Sequence, residues 1–305
     1  MIHPEPLHRG DRVALIAPAS CVRPKEIDRA VRSIRLLDLE PIVFPGVHHQ
    51  HGYLAGTDEV RLRDLHDAFS DNNVKGIFCI RGGVGCGRIL DKVDFDMIAE
   101  HPKVFLGFSD ISLLHFNINR KCGFTTIHGA MPNIDWTRRD PATVDSIRSW
   151  VFGFPEGPVS LPPDEPLGAM AGGTAEGRIT GGNLSLVVST LGSPWEIDTK
   201  DKILYLEDYC ETDYSIERML SALSLAGKFD DAAGIVLGPF LEISREEPHL
   251  PELPLEVIFE ELVVSHGKPV LTNYRAGHTY PHIAFPMGAL CRIDADRKTI
   301  AFYRG

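Results

Sequence analysis

The chain has 305 residues, 43% of them apolar and 24% charged, which is the composition of an ordinary soluble globular protein. This length exceeds the usual size of one domain, so we expect two domains, each able to bury its own core. The formal charge of −11, without a basic stripe that carries aromatic residues, argues against nucleic-acid binding. No run approaches the roughly 18 apolar residues of a membrane span.

The six cysteines are scattered without a Cys-x-x-Cys pair. This pattern is typical of reduced thiols in a cytosol rather than of a zinc site or a disulfide framework. The apolar run at residues 13–17 is short for the core of a signal peptide and follows the acidic residues Glu5 and Asp11. We therefore interpret it as a buried first strand and expect a cytoplasmic protein without a membrane partner.

Short apolar runs alternate with segments of helical periodicity in the first half of the chain. The predicted strands cover residues 13–17, 42–44, 77–80, 104–107 and 125–128. This alternation predicts an α/β fold with a doubly wound parallel sheet, whose binding crevice lies beyond the carboxyl ends of the strands.

Ser109 lies where one of these predicted strands stops at Gly107 and helical spacing begins. A serine at such a turn has its Oγ lifted above the sheet, and the backbone N–H after it points to where an oxyanion could form. The alternative is that Ser109 only caps the helix, because Ser and Asp are favoured caps.

A glycine-rich loop follows the predicted strand at residues 77–80 and runs from Arg81 to Gly87. It fits neither G-x-G-x-x-G nor the P-loop, which needs a Gly-Lys-Ser/Thr ending. Two interpretations stay open: a tight turn, or a loop that presents bare N–H groups to an anion.

Regular periodicity is lost between about residues 131 and 172, where Pro and Gly accumulate. This pattern predicts a first domain at 1–135, a linker at 136–172 that contains a short helix, and a second domain at 173–305. Within the second domain, a strand should deliver Glu207 and Asp208 at its end, and residues 289–303 predict a two-strand β hairpin.

A hydrolase built on Ser109 needs a base and a group that orients the base. His278 and His282 have the spacing of zinc ligands, but Gly277 and Pro281 interrupt any regular helix there. No ligand set has zinc spacing, so we predict no metal and no cofactor.

Glu207 and Asp208 could act as paired carboxylates, although a solvated pair at a strand end is the simpler interpretation. Cys86 and Cys210 lie away from any strand-to-helix turn, so we expect both to be buried, inert thiols.

Six motifs in the same order, which together span nearly the whole chain, resemble the murein L,D-carboxypeptidase family of serine peptidases. That family also holds the microcin C self-immunity peptidases. The motifs are Arg81-Gly82-Gly83-Val84-Gly85, Gly107-Phe108-Ser109-Asp110, Gly181-Gly182-Asn183-Leu184, Leu206-Glu207-Asp208 with Glu211, Ile216-Glu217-Arg218-Met219-Leu220, and Gly277-His278 with Pro286-Met287-Gly288-Ala289.

The resemblance implies that Ser109 is the nucleophile, Glu207 the orienting carboxylate and His278 the general base. It also implies that the oxyanion is held by the backbone N–H groups of Gly83 and Asp110. The candidates for contact with the substrate are Arg81, Gly82 and Glu211. The chain departs from the family pattern at Val84, where an aromatic residue is common, and at Cys86, where a small residue is usual.

The same resemblance implies an N-terminal domain like the class I glutamine amidotransferases, a β-rich C-terminal domain, an active site between them and a homodimer. The predicted activity is removal of a C-terminal D-Ala from a murein-derived tetrapeptide in peptidoglycan recycling, so the partner is a small peptide or muropeptide. One alternative is cleavage of a peptidyl-nucleotide antibiotic, as in the microcin C peptidases.

Two further alternatives come from other classes. An α/β hydrolase shares the chain order of nucleophile, acid and histidine, but its G-x-S-x-G turn would need a glycine where this chain has Ile111. The other is a non-catalytic binding module on the same scaffold.

Overall fold

The computed structural model describes residues 1–247, 249–251 and 253–305. The strands, in chain order, are β1 (Arg12–Ile16), β2 (Glu40–Val43), β3 (Gly76–Cys79), β4 (Val104–Gly107), β5 (Thr126–His128), β6 (Gly157–Pro158), β7 (Gly168–Ala171), β8 (Thr174–Asn183), β9 (Lys202–Tyr209), β10 (Gly234–Leu241), β11 (Val270–Thr272), β12 (Phe285–Met287), β13 (Leu290–Asp294) and β14 (Thr299–Tyr303). The α-helices are α1 (Pro24–Arg35), α2 (Asp58–Ser70), α3 (Phe95–Glu100), α4 (Ser112–Cys122), α5 (Pro141–Val151), α6 (Leu184–Ser189), α7 (Asp213–Leu225), α8 (Lys228–Asp231) and α9 (Leu255–Leu262). Among the described residues, no helix has the length and apolar character needed to span a membrane.

The chain divides into two compact units, which are residues 1–155 with 280–288 and residues 156–279 with 289–305. The first unit contains a six-stranded sheet in the order β12-β5-β4-β3-β1-β2. Strands β1 to β5 run parallel to their neighbours in it, and β12 pairs antiparallel with β5. The predicted α/β fold with a parallel sheet in the first half is confirmed.

The second unit contains an eight-stranded sheet in the order β6-β14-β13-β8-β9-β10-β11-β7. Strands β8 to β11 pair in parallel at its centre, and the strands on either side of them pair antiparallel. The predicted hairpin near the end of the chain is formed by β13 and β14, where Leu290 faces Tyr303 and Asp294 faces Thr299. The second half is therefore β-rich, as predicted.

The central strands of the first sheet are buried along their whole length. Every residue of β3 and of β4 is buried, as expected for near-continuous apolar runs in a parallel sheet covered on both faces. Strand β4 ends at Gly107, and a short 3-10 turn at Ser109–Ile111 leads directly into α4. The strand, turn and helix predicted around Ser109 are thus present, with the 3-10 turn as an addition.

The stretch at 136–172, which the sequence predicts to be a linker, contains a helix and two strands. Helix α5 begins at Pro141 and is capped by Asp140, whose carboxylate accepts the Thr143 N–H at 2.8 Å. Proline is favoured at the first helical position, because its missing N–H would be unpaired there in any case. The short helix predicted within this stretch is therefore α5, which begins at a proline, and β6 and β7 then join the second sheet.

Candidate functional site

Ser109 occupies the turn between β4 and α4 in a left-handed backbone conformation, with φ of 63°. This conformation is uncommon for a non-glycine residue and stores strain, as expected of a nucleophile held on a sharp strand-to-helix turn. The N-cap residues of the 3-10 turn and of α4 are Phe108 and Ile111. Ser109 therefore does not act as the helix cap that the alternative interpretation required.

The glycine loop lies against Ser109 within the same unit. A Cβ atom added to Gly82 would lie 3.0 Å from Ser109 Cβ and 3.2 Å from Ser109 Oγ, so a side chain there would crowd the serine. Within the described part of the chain, neither the Gly83 nor the Asp110 backbone N–H donates to a backbone carbonyl of a turn or loop. Their use as oxyanion donors remains a prediction.

The Asp110 side chain has a structural role that was not predicted from the sequence. Its buried carboxylate accepts the Cys86 N–H at 2.8 Å and so ties the glycine loop to the turn that carries Ser109. Burial raises the pKa of this carboxyl, while the Cys86 N–H and the charge of Arg61 oppose the rise.

The two cysteines considered as thiol nucleophiles differ in exposure. Cys86 is fully buried, as predicted, and burial raises the pKa of its thiol well above the usual value, which disfavours the reactive thiolate. Cys210, in contrast, is exposed, and the prediction of burial was wrong for it. The reason is local, since Cys210 follows directly after the end of β9 in a left-handed conformation, with φ of 62°.

Arg81 lies next to Gly82 with a half-buried side chain. Its Nη1 donates to the Cys21 carbonyl at 3.3 Å and lies 3.7 Å from Glu26 Oε2. Glu211 belongs to the second unit, where it accepts a hydrogen bond from Ser185 Oγ at 3.4 Å. A role for either residue in substrate contact remains a prediction.

Glu207 and His278 are 71 positions apart in the sequence and meet in the second unit. His278 Nδ1 lies 2.8 Å from Glu207 Oε2, and the His278 backbone N–H donates to the same oxygen at 3.1 Å. A Cβ atom on Gly277 would lie 2.4 Å from Glu207 Oε2, so only glycine allows the carboxylate to come this close. This arrangement fixes the histidine ring with its Nε2 as the remaining acceptor.

The fully buried Glu207 carboxylate controls the charge of the His278 ring. Burial by itself would lower the pKa of His278, but the hydrogen bond and charge of Glu207, together with the charge of Asp208, raise it above the ordinary value. Tyr209 stacks on the His278 ring with centroids 5.1 Å apart and an interplanar angle of 14°. Tyr209 was not predicted as a site residue, although its position two residues after Glu207 places it on the same face of β9.

Asp208 is buried and hydrogen-bonded, which corrects the expectation of a solvated pair. Strand β9 continues through Tyr209, so both carboxylates lie inside the strand and not beyond its end. Asp208 Oδ2 accepts the backbone N–H of Ser185 at 2.9 Å and its hydroxyl at 2.7 Å, at the start of α6. Asp208 therefore anchors a helix, a role that the sequence pair Glu-Asp does not reveal.

Asn183 connects the two carboxylates through its side-chain amide. Its Nδ2 donates to Asp208 Oδ1 at 2.9 Å and to Glu207 Oε1 at 3.3 Å. The hydroxyl of Tyr205 donates to the Ala276 carbonyl at 2.6 Å and so supports the segment that carries His278. Both residues were missed as site residues, although the Gly-Gly-Asn motif before α6 carried a signal for Asn183.

The structure thus brings together two groups of predicted residues, each within one unit. Ser109 lies with Gly82, Gly83 and Asp110 in the first unit, and Glu207 lies with His278 in the second. Proton transfer from Ser109 to His278 remains a prediction. Among residues 1–247, 249–251 and 253–305, no group of three or more His, Cys, Asp or Glu side chains is arranged to hold a metal ion.

Family models match both halves of the chain. The LD-carboxypeptidase N-terminal domain matches residues 13–129, and the LD-carboxypeptidase C-terminal domain matches residues 176–293. A probable murein peptide carboxypeptidase of Bacillus subtilis (strain 168) is 41% identical over 308 residues, which cover 99% of this chain and 94% of the relative.

Solved structures agree with this assignment. The muramoyltetrapeptide carboxypeptidase from Oxalobacter formigenes has a TM-score of 0.82 at 27% identity, over 95% of this chain and 97% of that one. The microcin C7 self immunity protein MccF in complex with aspartyl sulfamoyl adenosine has a TM-score of 0.88 at 23% identity, over 100% of this chain and 99% of that one. The second likeness concerns the fold alone, whereas the domain matches and the 41% relative establish that this chain belongs to the LD-carboxypeptidase family.

Proposed function

We propose that the protein is a serine L,D-carboxypeptidase that removes the C-terminal D-Ala from a murein-derived tetrapeptide with a Ser109-His278-Glu207 triad. The observation that carries the chemistry is the contact between the buried Glu207 carboxylate and His278 Nδ1 at 2.8 Å. A carboxylate that accepts the Nδ1–H of the ring sets the tautomer in which Nε2 carries the lone pair and acts as the base. The substrate class is supported by the relatives named murein peptide and muramoyltetrapeptide carboxypeptidases.

In this mechanism, Ser109 Oγ attacks the carbonyl carbon of the scissile amide and gives its proton to His278 Nε2. The negative charge moves to the carbonyl oxygen, which accepts hydrogen bonds from the N–H groups of Gly83 and Asp110. The C–N bond then breaks, and His278 passes the proton to the leaving amine of D-Ala. Water hydrolyses the Ser109 ester by the same steps in reverse order and restores the free hydroxyl.

The substrate is tested by mass spectrometry of the products formed from two compounds. One is a murein tetrapeptide that ends in D-Ala, and the other is a peptidyl-nucleotide conjugate of the microcin C type. We expect release of free D-Ala and a tripeptide from the first compound, at a kcat/KM at least tenfold above that for the second. Preferred cleavage of the conjugate would contradict the proposed substrate and leave the triad in place.

The pH dependence follows from the raised pKa of His278. A protonated His278 cannot accept the Ser109 proton, so kcat/KM should fall as the pH decreases through this pKa, which lies above the ordinary value of 6.5. We expect kcat/KM to rise with pH and to reach its plateau only above that value. A profile measured from pH 5 to pH 9 that is flat across this range would contradict the assignment of His278 as the base.

Removal of metal ions should leave the activity intact. The proposed triad needs no metal, and no ligand cluster occurs among the residues that the structure describes. We expect the same kcat before and after dialysis against EDTA. Loss of activity that added zinc restores would point to a metal-dependent mechanism instead. The homodimer implied by the resemblance and the cytoplasmic location predicted from the cysteine pattern both remain predictions.

A further inference from the structure

Arg61, on helix α2, carries a guanidinium group with none of its side chain exposed. Its Nη1 donates to the carbonyl oxygens of Gly85 at 2.7 Å and of Pro18 at 2.8 Å. Its Nη2 donates to Asp58. Burial of a charged group is costly, so a buried arginine has to be compensated by directional contacts of this kind.

The loop at residues 82–86 is fixed at three points by polar contacts. These contacts join the Val84 N–H to Ser20 Oγ at 3.1 Å, the Gly85 carbonyl to Arg61 Nη1 at 2.7 Å and the Cys86 N–H to Asp110 Oδ2 at 2.8 Å. Gly83 is the neighbour of Val84 and lies two positions before Gly85, so these contacts set the direction of its N–H.

Two of the three contacts come from buried charges on different elements. Arg61, which belongs to α2, donates a hydrogen bond to a carbonyl of the loop. Asp110, which belongs to the turn that carries Ser109, accepts a hydrogen bond from an N–H of the loop. Asp110 also supplies the second candidate oxyanion donor through its own backbone. The loop that carries Gly83 and the turn that carries Asp110 therefore belong to one hydrogen-bond network, and Arg61 joins this network from α2.

We propose that Arg61 is a positioning residue for acyl transfer, which holds the loop at residues 82–86 so that the N–H groups of Gly83 and Asp110 converge on the oxyanion. The inference rests on the proposed function, in which Ser109 is the nucleophile. Arg61 acts through the Gly85 carbonyl and contacts no substrate, because its side chain is buried.

Two substitutions test this role. In Arg61→Lys, a single ammonium group cannot hold two carbonyls and Asp58 in the fixed plane of a guanidinium. In Arg61→Ala, all of these contacts are lost. Both variants should lower kcat about 10- to 100-fold with KM changed less than about twofold, because a displaced oxyanion donor weakens mainly the transition state. Guanidinium chloride at millimolar concentration should restore part of kcat in Arg61→Ala.

Arg63 offers a matched control, because it lies on the same helix with an exposed side chain. Arg63→Lys and Arg63→Ala should keep the kcat of the unmodified protein. All variants are assayed on the murein tetrapeptide, together with the melting temperature and the rate at which a fluorophosphonate labels Ser109. In the Arg61 variants the labelling rate should fall by about the same factor as kcat, because the phosphonyl oxygen of the label occupies the oxyanion position.

The outcomes separate this inference from the proposed function. If Ser109→Ala is inactive while both Arg61 variants keep kcat, the positioning role is rejected and the proposed function stands. If kcat falls without rescue and KM rises by a similar factor, or if neither variant folds, Arg61 serves the fold in general and the inference is also rejected. If Ser109→Ala remains active, the proposed function fails, and the inference fails with it.

Discussion

Replacement of Ser109 by alanine should lower kcat for the murein tetrapeptide by about 10⁴ to 10⁶, with the fold intact. The hydroxyl is the proposed nucleophile, and no other group of the triad can replace it. The melting temperature should stay close to that of the unmodified protein. Alanine and serine both carry a Cβ atom, so they have about the same conformational energy cost in the left-handed region, at a φ of 63°. Steady-state kinetics, combined with labelling by a fluorophosphonate, would measure both the loss of turnover and the loss of the reactive group.

A glycine variant and a distant serine complete this test. Ser109→Gly should be as inactive as Ser109→Ala and about 1 kcal/mol more stable than it, because glycine relieves the left-handed strain. Ser149→Ala, which removes an exposed hydroxyl of α5, should keep full activity. Turnover within tenfold of normal in a folded Ser109→Ala protein would refute the nucleophile assignment.

Replacement of Glu207 by glutamine should lower kcat by about 10² to 10⁴ with little change in KM. The carboxylate fixes the ring of His278 through the 2.8 Å contact and stabilises the imidazolium that forms when Ser109 loses its proton. Glutamine keeps the size and removes the charge. Because burial would then dominate, the pKa of His278 should fall, and the acidic limb of the pH profile should move to lower pH.

Asp208→Asn is the matched control, since Asp208 is the next residue on β9 and is also buried. Its carboxylate accepts hydrogen bonds from Ser185 and Asn183, whereas Glu207 supplies the carboxylate oxygen that lies 2.8 Å from His278 Nδ1. We expect a loss of about 1 to 3 kcal/mol in the free energy of unfolding and a smaller loss of kcat than in Glu207→Gln. If Asp208→Asn were the more damaging to kcat in folded protein, the orienting role would pass to Asp208.

Much of the fold follows from local patterns in the sequence. The strands β1, β3 and β4 are short apolar runs that a buried parallel sheet requires, so their positions could be predicted within one or two residues. The turn at Ser109 could also be predicted, because Gly107 ends a buried strand and helical spacing resumes within a few residues. In these cases the determining interactions lie close together along the chain.

The sequence was less informative where proline and acidic residues have more than one structural use. Helix α5 is the short helix predicted within the 136–172 linker, but no pattern in this proline-containing stretch indicated that β6 and β7 join the second sheet. Asp208 is buried because Ser185 and Asn183, more than 20 positions earlier, provide its hydrogen bonds. No local pattern distinguishes a buried carboxylate of this kind from a solvated one.

The sequence by itself determined the alternation of strands and helices, the turn at Ser109 and, through six motifs in order, the family. Only the tertiary structure decided that Glu207 and His278 touch, that Asp208 anchors α6 and that Arg61 holds the Gly85 carbonyl. It also decided that β12 pairs with β5, about 160 positions earlier in the chain. The physical reason is that the apolar spacing which predicts secondary structure acts between near neighbours, whereas buried hydrogen bonds and strand pairings join residues that only the folded chain brings together.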